Sequence, residues 1–201
     1  MIGAIFFLAG VFGLSTLTTC GPEVHPATTQ AIIDVESSGN PLAIHDNDTG
    51  TSYTPSSRTE AAEIASRLLK SGRSIDMGLM QINSWHLRKK KIDHESLFDP
   101  CTNIRVGTEI LADFYYRHRD KNPKDSPDLI LLKALSSYNT GTPYKGTRYV
   151  TKILKKARGI DCLPTHTTRL VSTRSARTHS LRTIPCEPIN AITFYRKDDA
   201  P

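Results

Sequence analysis

Glu36 is the residue of this chain whose type and position folding explains least. A helix is predicted from Pro26 to about Ser37, ending at the turn signal Gly39-Asn40-Pro41. On it Thr29, Ile32, Ile33 and Glu36 fall at i, i+3, i+4 and i+7, which is one face. Gln30, Asp34, Ser37 and Ser38 form the solvated stripe opposite. Glu36 therefore continues the apolar face, and it lies in the last turn, where the helix dipole disfavours an anion. Both effects raise a carboxyl pKa and favour the protonated acid at neutral pH. A carboxyl in a hydrophobic pocket with pKa near 6 is the acid of glycoside cleavage. The spacing leaves a second reading open, a carboxylate at the helix edge paired with an arginine.

Two further segments carry polar groups where a fold alone does not ask for them. Gly78-Leu79-Met80-Gln81-Ile82-Asn83 combines a glycine, which lets a backbone approach closely, with two neutral amides that donate and accept. Ser137-Tyr138-Asn139-Thr140-Gly141 puts a phenol and an amide at the end of an apolar helix. Each alone reads as well as a polar turn or helix end. Together with Glu36 they supply amides, one aromatic and one acid, the groups a sugar site needs. No metal site and no cofactor is expected, since there is no CxxC pair and no HExxH, and the seven histidines are scattered.

These groups must be held by helices. Ser57-Arg58-Thr59-Glu60 is a capping box that opens a helix through Ala61, Ile64, Ala65, Leu68 and Leu69, stopped by Gly72. Residues 42–56 read as an irregular, hairpin-like excursion, and Ser74–Met77 as a short extended piece. A short helix with a basic end is predicted over 81–91. Asp99-Pro100 caps a long helix with Ile104, Gly107, Ile110, Leu111, Phe114 and Tyr115 inside. Pro127–Tyr138 and about Tyr144–Ala157 are the last two helices. The expected fold class is mainly α (α+β), a globule of about 140 residues with a short β excursion.

The length of 201 residues suits one such domain plus an appendage. Net charge is +6, but it is unevenly placed. Residues 1–144 carry 14 Lys/Arg and 16 Asp/Glu, while 145–182 carry 10 basic residues against Asp161 alone. A basic late segment on a slightly acidic body argues against a nucleic-acid-binding surface. Residues 161–201 are expected to form a basic, mostly disordered tail, because Thr165–Thr183 is too poor in apolar residues to offset chain entropy.

Met1–Leu17 is almost purely apolar or small, and the first Lys or Arg is Arg58. The run is short for a membrane span, which needs about 20 apolar residues. Residues 1–19 are read as a secretory signal peptide lacking the usual charged start, with no membrane span left after cleavage. Export makes the four cysteines disulfide candidates. Of the three possible pairings, Cys20–Cys101 with Cys162–Cys186 is favoured.

At this point the residues resemble a family. Glu36-Ser37-Ser38-Gly39-Asn40-Pro41, then Gly78–Asn83, then Tyr138-Asn139-Thr140-Gly141 are similar, in order, to the three signatures of lytic transglycosylases with a lysozyme-like fold. Cys20, Ala43-Ile44, Asp76-Met77-Gly78 and Phe98-Asp99-Pro100-Cys101-Thr102-Asn103-Ile104 bring the chain nearest to the small exported transglycosylases of type IV secretion and conjugation systems. The resemblance spans about residues 20–157, so a lysozyme-like transglycosylase domain is expected over 20–160. It implies periplasmic cleavage of the β-1,4 bond between N-acetylmuramic acid and N-acetylglucosamine in peptidoglycan, opening the wall for a secretion apparatus. Glu36 would protonate the glycosidic oxygen and then act as base toward the muramic C6 hydroxyl, giving a 1,6-anhydro end. The substrate's N-acetyl group would shield the oxocarbenium-like centre, so no second catalytic carboxylate is required. Gln81 and Asn83 would contact sugar, Tyr138 would position Glu36 or the intermediate, and Asn139 would support the cleft. Ser37 would orient Glu36 or the backbone, and Met80 would pack. The N-acetyl contact is not assigned between His45 and Asn47. Asp48 or Asp76 could hold a water and make the enzyme a hydrolytic lysozyme. A non-catalytic wall-binding assembly module is the remaining alternative.

Overall fold

Local signals set the order of elements before any packing is considered. A computed structural model describes residues 13–158. The elements are α1 (Leu14–Cys20), α2 (Pro26–Glu36), β1 (Ile44–Asp46), β2 (Thr51–Tyr53), α3 (Arg58–Lys70), β3 (Ile75–Met77) and β4 (Ile82–Asn83). Then come α4 (Trp85–Lys90), a 3-10 turn (Glu95–Phe98), α5 (Pro100–Lys121), α6 (Pro127–Thr140) and α7 (Thr147–Arg158). The expected mainly helical class with a small β excursion is what is found.

Helix starts follow the expected chemistry. The His25 imidazole accepts from the Ala27 amide at 3.2 Å, and Pro26 needs no partner for a donor it lacks. Asp99 accepts from the Thr102 amide at 2.8 Å and opens α5. Ser126 does the same for α6 through the Leu129 amide. The capping box of α3 is half formed as expected. Ser57 accepts from the Glu60 amide, but the Glu60 carboxylate reaches back to the amide and hydroxyl of Ser56, not Ser57.

Two boundaries differ from the periodicity. Residues 82–83 pair as a strand with β3, so the helix expected over 81–91 starts only at Trp85. The last helix starts at Thr147, not Tyr144, because the Gly146 amide is held by the Ser136 hydroxyl and the chain must first turn past α6.

The sheet is antiparallel in the order β2-β1-β3-β4. Ile44 faces Met77, and Met77 faces Ile82, so one side of the sheet feeds the core. The helical core is built by α5 against α6 and by α2 against α7. Gly107 is required at the closest approach, since a Cβ there would meet the Met80 sulfur at 2.4 Å.

Residues 14–20, read from the sequence as mostly leader, form α1, and Leu17 is only 3% exposed. α1 packs on α5 and α2. It is bound covalently to α5 by the expected Cys20–Cys101 disulfide. The other expected pair, Cys162–Cys186, the expected disordered tail and most of the expected leader lie outside the described residues. Among the described residues, no helix is long and apolar enough to cross a membrane.

Candidate active site

α2 delivers Glu36 at its C-terminal turn. The chain leaves through left-handed Ser38 (φ 53°) and Gly39 (φ 81°), which aborts the helix directly after the acid. Ser37 does not line the cleft. Its hydroxyl donates to the Leu79 carbonyl at 2.8 Å, with the Ile33 carbonyl as the longer alternative at 3.2 Å.

Residues 78–83 cross beneath that turn. Asn103, fully buried on α5, accepts from the Met80 amide at 2.8 Å. It donates to the carbonyls of Met77 (2.9 Å) and Leu97 (2.8 Å). Gly78 sits at φ 75°, and a Cβ there would lie 2.2 Å from the Asn103 amide nitrogen. Gln81 has φ 46°, a left-handed conformation costly for a residue with a Cβ. Its side-chain amide holds that turn by donating to the Gly78 and Ala43 carbonyls. Asn83 donates to the Asp76 carboxylate at 2.7 Å, and its oxygen accepts from the Trp85 amide.

α6 supplies the opposite wall. The Tyr138 hydroxyl donates to the Met80 carbonyl at 2.8 Å, and exposed Asn139 lines the cleft one residue on. Gly141 caps the helix in the left-handed conformation. Ser137, also on this wall, shares a 2.8 Å hydrogen bond with His118 of α5.

The resulting cleft of about 460 Å³ gathers Glu36, Gln81, Asn83, Tyr138 and Asn139, and it adds Asp76 and Asn47. Of the unassigned candidates, Asn47 is therefore in the cleft, close enough to Asp76 to hold its carboxyl down in part. His45 bonds Ser52 instead, and the Asp48 carboxylate is taken by the Ser74 amide. Met80 is buried packing.

Burial dominates the electrostatics. It pushes the Glu36 carboxyl up to about 7, helped by the negative charge of Asp76 and opposed by the Tyr149 hydroxyl and the Lys152 charge. No arginine pairs with Glu36 among the described residues, so the edge-carboxylate reading is not the arrangement found. Asp76 is also raised by burial, with Asn83 and Asn47 holding it down in part. Tyr138 and Tyr149 are pushed well above 10 by burial and by the Glu36 charge, so both stay protonated donors. The Tyr149 hydroxyl is buried and has no partner of regular hydrogen-bond geometry, yet it is the donor that acts on Glu36.

Such a site can give a proton at neutral pH and then hold the carboxylate that remains. Tyr149 is the participant the sequence reading missed. Its signal was legible in principle: a hydroxyl on the apolar stripe that it shares with Val150, Ile153 and Leu154. Trp85, His86, Phe114 and Arg117 on α4 and α5 complete the cleft, and no motif marked them. Among the described residues no group of His, Cys, Asp or Glu could hold a metal ion.

The family described as Transglycosylase SLT domain matches residues 15–157. The chain is 37% identical over 122 residues to "Protein virB1" of Agrobacterium fabrum, covering 61% of this chain and 49% of that protein. It is 34% identical over 145 residues to "Type IV secretion system protein virB1" of Brucella abortus, covering 69% and 60%. It is 33% identical over 93 residues to "Invasion protein IagB" of Salmonella typhi, covering 42% and 52%. The chain thus spans about half to three fifths of the length of these relatives. No solved structure matches it.

Proposed function

This chain belongs to the transglycosylase SLT family, and from that premise we propose that it is an exported lytic transglycosylase acting on peptidoglycan in the periplasm. Residues 20–160 form its catalytic domain in this reading, with 1–19 as the leader and 161–201 as a basic tail. The name of one relative, a type IV secretion system protein, supports the rest of the proposal, that this chain opens the wall locally for a type IV secretion or conjugation apparatus.

The observation that carries the activity is the Glu36 carboxyl, raised to about 7 at the wall of a cleft lined with amides. Protonated Glu36 gives its proton to the glycosidic oxygen between N-acetylmuramic acid and N-acetylglucosamine, and that C–O bond breaks. The Tyr149 hydroxyl and the Lys152 charge, which both favour the anion, then steady the carboxylate. The carboxylate takes the proton of the muramic C6 hydroxyl as its oxygen bonds to the anomeric carbon. One C–O bond is lost and one is gained, no water enters, and Glu36 ends protonated. Intramolecular attack gains from high effective molarity. Asn139 offers its amide to the sugar and Gln81 its side-chain oxygen, the Gln81 amide hydrogens being held by the Gly78 and Ala43 carbonyls. Asn83 is spent on Asp76, Ser74 and Trp85, so it acts by orienting Asp76, while Ser37 and Tyr138 fix the backbone beneath the sugar.

A second reading, a hydrolytic lysozyme, is favoured by one observation: Asp76 stands in the same cleft with its own raised pKa and could hold a water. Mass spectrometry of muropeptides released by the full chain decides between the two. Anhydro ends that disappear in Glu36→Gln are expected, and reducing ends would establish the hydrolase. Wall binding without any product would overturn both readings in favour of an assembly module.

A further inference from the structure

One wall of the cleft is not used by the reaction just described. α4 and α5 line it with Trp85, His86, Phe114 and Arg117. The cation that acts on the Glu36 carboxyl is Lys152 of α7, so the Arg117 charge is free for another task. Arg117 has no carboxylate partner among the described residues. Its guanidinium lies over the Phe114 ring, 5.2 Å from the centroid, which holds the planar fork while leaving its N–H groups to a ligand. On the same wall Trp85 is 60% exposed, with the Lys89 ammonium over its ring at 5.0 Å from the centroid. The His86 ring meets Trp85 edge-on at 4.9 Å, and its Nδ1 is buried without a partner. Burial, helped by the charges of Lys89 and Lys90 and opposed by Asp113, pushes the His86 imidazole pKa down, which favours the neutral form that both donates and accepts.

The geometry points to a subsite for the stem peptide of the glycan strand on this wall, with the Arg117 guanidinium receiving a peptide carboxylate. The inference rests on the peptidoglycan reading above and goes beyond it, since it makes the enzyme selective for strands that carry peptides. Charge identifies the occupant. A guanidinium with no carboxylate partner among the described residues, on a cleft wall it shares with Trp85, His86 and Phe114, calls for an anion, and the stem peptide brings carboxylates to a neutral sugar backbone. The muramic lactyl group offers the same chemistry, but only on strands stripped of peptide, which separates the two sources.

The test compares rates of the full chain on peptide-bearing glycan strands and on strands stripped by an amidase. The wild type is expected to favour the peptide-bearing strands. Arg117→Gln is expected to lower the ratio of the two rates about tenfold, and Arg117→Lys to lower it less, since a point charge keeps the attraction without the fork. Equal wild-type rates, a ratio unmoved by Arg117→Gln, or a loss confined to stripped strands would overturn the subsite, the last by assigning Arg117 to the lactyl carboxylate. No cleavage of either strand by the folded wild type would overturn the transglycosylase reading itself, and the subsite with it.

Discussion

The Tyr138 hydroxyl donates to the Met80 carbonyl at 2.8 Å, joining the end of α6 to the strand-side loop that carries Gln81. The neighbouring groups are taken in the same way. Ser37 donates to the Leu79 carbonyl, and Asn103 accepts from the Met80 amide. Two consecutive residues, Leu79 and Met80, thus tie α2, α5 and α6 together directly behind Glu36. Both are fully buried, so the hydrogen bonds form where water cannot replace them.

Tyr138→Phe should therefore act on stability as well as rate. It leaves the Met80 carbonyl without its donor, at a cost of about 1–3 kcal/mol. Urea unfolding followed by circular dichroism measures this. A midpoint equal to the wild type's would show that the bond contributes nothing net.

The pH–rate profile should fall above about pH 7, where Glu36 loses the proton it must donate. Tyr149→Phe removes a group that lowers the Glu36 pKa, so the limb should move to higher pH. Asp76→Asn removes a charge that raises it, so the limb should move lower. Profiles of kcat/KM for the three proteins check this, and movement of both variants in one direction would refute the assignment.

Glu36→Gln should stabilise the protein in alkaline buffer. The folded-state pKa of about 7 exceeds the reference 4.5, so the native state holds the proton more tightly. Stability is therefore lost as pH rises from 4.5 through 7, by at most about 3 kcal/mol. The variant has no such loss. Its advantage in thermal melts should be present at pH 8 and small at pH 4.5.

Asn103→Ala should be among the most damaging single changes. It strands the Met80 amide and the Met77 and Leu97 carbonyls in the core. A loss of about 3 kcal/mol or more is expected from unfolding curves, since each stranded buried group costs about 1–3 kcal/mol. Activity should fall with it. A variant that keeps full stability would mean that water enters the gap.

Removing the Cys20–Cys101 disulfide should lower stability by about 2–4 kcal/mol, because it closes a separation of 81 residues. Paired Cys20→Ser and Cys101→Ser variants, melted beside the oxidised protein, give the value. In the full chain, with residues 1–19 still attached, hydrogen exchange should show α1 opening first, since the bridge is its covalent hold on α5.

The sequence by itself determined what depends on neighbours along the chain. The placing of Glu36 on the apolar stripe of α2 follows from a 3.6-residue period, and the starts of α2, α5 and α6 follow from caps within three residues. The three signature segments were legible as well, because their polar residues break local patterns. Boundaries that answer to distant partners were not: β4 exists because Ile82 pairs with Met77, and α7 starts late because Ser136 holds Gly146. Tertiary structure alone decided that Tyr149 and Lys152 act on Glu36, that Ser37 turns from the cleft to Leu79, and that Arg117 shares the cleft. The physical reason is range. Propensity and capping act over one helical turn, whereas desolvation and charge at Glu36 depend on which walls the packing of α2 against α7, and of α5 against α6, brings around it.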